Sequence, residues 1–137
     1  MQVAQNKLAR VVCDAPRSAS ATELRLHLHW LPVRQRIDYK LALLSYKTRS
    51  TTGTPVYLAS LLESYRPARE LRSSNKNLLT VPHLSLPVAL SAKAFCVSAP
   101  TVWNSLSDAY REAGLVSTFR SRLKTELFNV AYVTQLV

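Results

Sequence analysis

The residues from 32 to 49 constrain this chain most, because they read as one helix with two apolar faces. Val33, Ile37, Leu41 and Leu44 recur at i, i+4, i+8 and i+11 and fall within one stripe at 100° per residue, while Tyr39, Ala42, Leu43 and Tyr46 form a second, roughly opposite stripe. A helix of that kind is expected to lie between two layers, at the centre of its domain. Its cations take the edges. Arg36, Lys40 and Lys47 form one row, and Arg34 and Arg49 lie with Asp38 on the other side.

The neighbouring segments follow from the same periodicities. Val3, Leu8, Val11 and Val12 give a short helical pattern, and the pair Ser20 and Glu23 reads as a capping box that opens a second short helix. Pro32 breaks that helix and starts the next. Thr54 as a cap and Pro55 as a first-turn residue predict a helix carrying Tyr57, Leu58, Leu61, Leu62 and Tyr65, ended by Pro67. Leu78, Leu79 and Val81, then the residues from 94 to 97, look extended and predict a small antiparallel hairpin. Pro100 opens a short helix with Trp103, and Ser117 caps a last one with its stripe at Phe119, Leu123, Leu127 and Val130. The expected fold is therefore mainly α with a small antiparallel β-hairpin, an α+β class. It forms a single domain over 1–137: helices over about 1–66, a basic loop over 66–76, then the hairpin and carboxy-terminal helix over about 77–132.

Composition removes several functions. Only Gly53 and Gly114 are present, so no glycine-rich loop can cradle a phosphate as in dinucleotide-binding or Walker motifs. Cys13 and Cys96 make no disulfide framework, and no apolar run approaches a membrane span. An intracellular protein, nuclear or cytoplasmic, with no membrane partner is expected. The first 25 residues have Asp14 and Glu23 as their only acids and superficially look like a transit peptide. His27, His29 and His83 with the two cysteines lack the spacing of a metal motif, and no GxSxG elbow supports a hydrolase. No metal, cofactor or small-molecule substrate is expected.

Charge points the other way. The chain carries 18 Lys plus Arg against 8 Asp plus Glu, a formal charge of +10, and 12 of its cations are arginines. The planar guanidinium fork suits phosphate, so an anionic polymer is the favoured partner. Arg66, Arg69, Arg72 and Lys76, interleaved with Ser73 and Ser74, are the strongest candidate phosphate contacts. The row Arg36, Lys40 and Lys47 is a second candidate, or else a solvated helix edge. Trp30 and Trp103 sit in apolar runs, which assigns them to packing rather than to base stacking.

Several blocks of the chain together resemble a known family. The string LHWLPVRQRIDYK at 28–40 is similar to a segment of the carboxy-terminal part of LINE-type, non-LTR retrotransposon polyproteins, especially the Jockey-like branch. Tyr57, Leu58, Leu61, Leu62, Tyr65, Pro67, Arg69 and the Leu71 to Ser74 run resemble its next block. Ala94, Phe95, Val97, Ala99, Pro100 and Trp103 to Leu106 resemble another, and Phe119, Arg122 to Thr125, Leu127 and Phe128 its end. The opening Val3, Gln5, Asn6, Ala9 and Arg10 resemble the family's helix before this region, which accounts for the first residues better than a transit peptide does. The likeness therefore covers about residues 2–130, with departures at Ser107, where the family usually has proline, and in the apolar 84–92 stretch.

In that family, polymerisation and target nicking are performed by domains upstream of the matched region. The resemblance therefore implies a non-catalytic remnant of a reverse transcriptase polyprotein. Asp14, Asp38 and Asp108 are scattered, with no paired aspartates for a two-metal site. The expected role is auxiliary, sequence-independent binding of RNA or DNA through phosphates. The alternatives are an interaction or structural module that docks on a polymerase or another subunit, and an expressed remnant with no selected function.

Overall fold

A computed structural model of the chain describes residues 1–50, 56–67, 76–83 and 94–132. They hold α1 (Gln2–Val12), α2 (Ala21–His27), α3 (Val33–Ser50), α4 (Val56–Ala59), α5 (Phe95–Ser105), α6 (Asp108–Arg111) and α7 (Val116–Tyr132). The chain divides into two compact units, one comprising Met1–Tyr39 and the chain from Leu123 onward, the other Lys40–Arg122. The helices α3 and α7 each give residues to both units.

In the first unit α1 packs against α2. Ser20 caps α2 as its spacing predicts, its Oγ accepting from the Glu23 backbone N–H at 3.5 Å. The start of α3 is satisfied from α1: the Gln2 Oε1 accepts from the Val33 N–H at 2.9 Å, one of the amides a helix leaves unpaired in its first turn. Gln5, itself buried, donates its Nε2 to the Leu31 carbonyl at 2.8 Å. Ala9, Leu31, Leu123, Ala131 and Tyr132 form the apolar part of this core, and the Tyr132 hydroxyl donates to the Trp30 carbonyl at 2.5 Å.

The second unit is aromatic. Phe119 is fully buried and stacks on Tyr46 with ring centroids 4.4 Å apart, and Trp103 lies tilted against it at 6.1 Å. Ala42, Leu43, Leu79, Ala99, Pro100 and Leu106 complete the core. The Tyr46 hydroxyl finds an acceptor, as a buried phenol must, in the Ala113 carbonyl at 2.6 Å.

Three expectations need correction. The hairpin is absent: among the described residues there is no β-strand, and the protein is mostly helical. The residues from 94 to 97, expected as a strand, begin α5, with Ala94 extended at its N-cap. The hydroxyls of Ser98 and Thr101 bond back to the Ala94 and Val97 carbonyls at 3.0 and 2.7 Å. Leu79 is extended, but both edges of its segment are satisfied without a hairpin. On one side the Tyr65 N–H donates to the Leu78 carbonyl at 3.0 Å and the Thr80 N–H to the Glu63 carbonyl at 2.8 Å, around a single antiparallel bridge of Ser64 with Leu79. On the other, the Asn104 side-chain amide accepts from the Leu79 N–H at 2.9 Å and donates to its carbonyl at 2.8 Å.

The helix expected to reach Tyr65 stops at Ala59, after a single turn, and Tyr57, Leu61 and Tyr65 are exposed. Its expected cap and first residue, Thr54 and Pro55, lie outside the described residues. Finally, α3 buries one of its two stripes. Ala42, Leu43 and Tyr46 are in the core, whereas Ile37 is 52 % exposed and Val33, Leu41 and Leu44 are half-buried.

Candidate nucleic-acid interface

Of the strongest sequence candidates, all in the segment 66–76, Arg69, Arg72, Ser73 and Ser74 lie outside the described residues. Its two ends are described. Arg66 is exposed and lines a shallow groove of about 490 Å³ with Glu63, Ser64 and Thr80. Lys76 is exposed too, with its Nζ 3.9 Å from the Asp108 Oδ2. The Asp108 carboxylate also holds Arg111, so part of the Lys76 charge is answered within the fold.

The chain just after Lys76 is fixed by a hydrogen-bonded knot on α5 and α6. The Trp103 indole Nε1 donates to the Asn77 carbonyl at 2.8 Å, and the neighbouring Asn104 grips Leu79 by both its backbone groups. Asn77 stands in the left-handed region at φ 54°, a conformation asparagine tolerates better than most residues. Its side chain accepts from the Arg49 guanidinium and donates to the Arg111 carbonyl at 3.4 Å. The Arg49 guanidinium also lies over the Trp103 ring, 5.5 Å from its centroid. Partial burial holds the Arg49 side chain below its ordinary pKa. Arg111 is buried, bonded to Asp108 and, through Nη1, to the Asn104 carbonyl at 3.1 Å.

A cleft of about 320 Å³ opens beside this knot, lined in part by Arg49, Ser50, Asn77 and Arg111. The Trp103-Asn104 pair thus clamps the backbone at Asn77 and Leu79, and Trp103 is buried as its apolar setting predicts.

The second candidate row is described completely. Lys40 and Lys47 are exposed on the part of α3 that belongs to the second unit. Arg36 is exposed on the part that belongs to the first, its guanidinium 5.9 Å from the centroid of the half-buried Trp30 ring.

One basic surface was not singled out from sequence. In the first unit Lys7, Arg10 and Arg17 line an open groove of about 760 Å³ with Val11, Asp14 and Ala15. The Arg10 guanidinium is fixed there by two bonds to the Ala19 carbonyl, at 3.2 and 3.1 Å. The sequence signal was weak, since three cations over eleven positions converge only because the chain reverses after α1, with Asp14 at φ 47°.

The histidines and cysteines assemble nothing further. Among the described residues no three His, Cys, Asp or Glu side chains gather to hold a metal ion, and no helix is long and apolar enough to cross a membrane. His29 instead stacks on Phe128 with centroids 5.6 Å apart. No protein-family model matches the chain, and no match is found among curated proteins or solved structures.

Proposed function

We propose that this chain is an auxiliary nucleic-acid-binding module descended from the carboxy-terminal region of a non-LTR retrotransposon polyprotein. It holds RNA or DNA inside the cell through phosphates, without reading sequence and without catalysis of its own. The observation that carries this reading is electrostatic. A chain with a formal charge of +10 presents Lys40, Lys47, Arg66 and Lys76 on the surface of one compact unit, and such an excess concentrates polyanions at a surface. Phosphate contacts fix position and carry no base identity.

The test is binding to RNA, single-stranded DNA and duplex as salt is raised. Affinity is expected to fall linearly in log salt with a slope of about −0.7 to −0.9 per phosphate engaged, almost equally for unrelated sequences. Replacing Arg69 and Arg72 together with Ala is expected to weaken all ligands alike and to flatten the slope by roughly one to two units. Absence of salt-dependent binding to any of the three at low ionic strength overturns the reading.

A further inference from the structure

The helix α1 packs the wrong way round for a surface amphipathic helix. Its inward face is polar: Gln2, Gln5 and Asn6 lie along one side with Ala9. They are tied into the unit by the Gln2 bonds to Gln5 and Asn6 at 2.9 and 3.0 Å, by the Gln5 bond to Leu31, and by the Arg25 guanidinium on Asn6. Its outward face is apolar. Ala4, Leu8 and Val12 form an i, i+4, i+8 ridge with Val11 beside it, and Leu8, Val11 and Val12 are 53, 75 and 53 % exposed. Isolated exposed aliphatics need no explanation, but a continuous helical ridge of them marks a contact surface.

Charge identifies the occupant. The residues from Gln2 to Val12 contain no acid, and the ridge is bordered on the Val11 side by the groove that Lys7, Arg10 and Arg17 line, with Asp14 its one carboxylate. A second copy of this chain would bring the same cations against these and be repelled. We propose that the outward face of α1 docks an amphipathic helix of another protein, whose apolar stripe lies along Leu8, Val11 and Val12 and whose flanking Asp or Glu residues meet Lys7 and Arg17. The small side chain of Ala4 lets the partner backbone approach, and the i±4 ridge is the kind that packs into the groove of a facing helix. A lipid surface is the poorer fit, since the ridge carries none of the aromatic side chains that anchor interfacial helices.

The test uses the whole chain and a synthetic helix-forming peptide with Leu at i, i+4 and i+7 and Glu along one flank, against the same peptide with Lys in place of Glu. The Glu peptide is expected to bind at least about tenfold more tightly than the Lys peptide. Leu8→Asp is expected to abolish binding, and Lys7→Glu with Arg17→Glu to weaken it by roughly tenfold. Far-UV circular dichroism should be unchanged in these variants, because the substituted side chains face outward. The proposal is overturned by failure of the Glu peptide to bind, by equal binding of the two peptides, or by a Leu8→Asp variant that binds normally. It is likewise overturned by Leu8-dependent self-association of the chain, or by Leu8-dependent binding to phosphatidylserine vesicles that exceeds binding of the peptide.

Discussion

The two units use their polar side chains differently. In Lys40–Arg122 the centre is a stack of rings, Tyr46 on Phe119 with Trp103 against it, and polar groups serve to seat those rings and the segment around Asn77. In the unit containing α1 and α2, the Gln2 and Gln5 side-chain amides reach the first amide of α3 and the Leu31 carbonyl just before it, beside an apolar part made by Ala9, Leu31, Leu123, Ala131 and Tyr132, with Phe128 stacked on His29 and tilted against Tyr132. Burial of aromatic area is non-directional and large, whereas an amide bond contributes little net energy but leaves a costly orphan when one partner is lost. The inward side of α1 is therefore specified by the geometry of its amide bonds more than by hydrophobic area. That frees the apolar side of α1 to face outward.

The largest test of this contrast is Phe119→Ala. Its side chain is fully buried between two rings, so its loss is expected to cost about 3 to 5 kcal/mol. Each unit contains one of the two tryptophans, Trp30 or Trp103, so tryptophan fluorescence during urea unfolding in a Trp30→Phe background reports on the surroundings of Trp103. A near-neutral effect on the Trp103 transition would break the view that the aromatic stack holds that unit.

Next in size is Gln5→Leu. If apolar packing governed the inward side of α1, this nearly isosteric replacement of a buried amide would cost little. Because the Leu31 carbonyl and the Gln2 amide would each lose a partner, the expected cost is instead about 1 to 3 kcal/mol. Faster hydrogen exchange at the Val33 amide should accompany it, since the Gln2 that caps Val33 is braced by Gln5. An unchanged unfolding midpoint would erase the distinction between the units.

The same contrast explains what was legible in the sequence. The helices α1, α2, α3 and α7 announce themselves through apolar periodicity and, for α2, through the Ser20 cap. Periodicity finds a helix but does not say which face turns inward. In α1 the deciding partners, the Leu31 carbonyl and the Val33 amide, are remote in sequence, so the pattern of Val3, Leu8, Val11 and Val12 predicts the helix without saying that Leu8 and Val11 face outward. The hairpin fails for a related reason. An apolar run as short as that from Ala94 to Val97 fits strand or helix equally, and what satisfies Leu79 is the side chain of Asn104, which no strand pattern encodes. Of the candidate site, the exposure of Arg36, Lys40, Lys47, Arg66 and Lys76 agrees with their charge, while the convergence of Lys7, Arg10 and Arg17 depends on a chain reversal that spacing does not reveal.

The smallest effect concerns Asp38, a half-buried carboxylate on the part of α3 that belongs to the first unit. Burial raises its pKa above the ordinary 3.8, opposed by the charge of Arg34 one turn earlier. A carboxyl whose folded pKa is raised holds its proton more tightly in the native state. Between the unfolded and the raised folded value the native chain therefore binds more protons, and stability is lost as pH rises through that window. Above the folded pKa the penalty is complete and constant. Asp38→Asn removes the ionisation, so it is expected to stabilise the protein at neutral pH, by less than Gln5→Leu destabilises it. The gain should shrink as pH falls through the window and vanish below the unfolded pKa, where the native aspartic acid is itself neutral. Arg34→Ala should enlarge the gain at neutral pH, because the opposing charge is gone. Urea unfolding of the four combinations at neutral pH and near about pH 3 measures both. A gain independent of pH would assign the effect to packing of the amide and remove the electrostatic account, whereas a gain confined to neutral pH would show that the first unit tolerates a charge that burial disfavours.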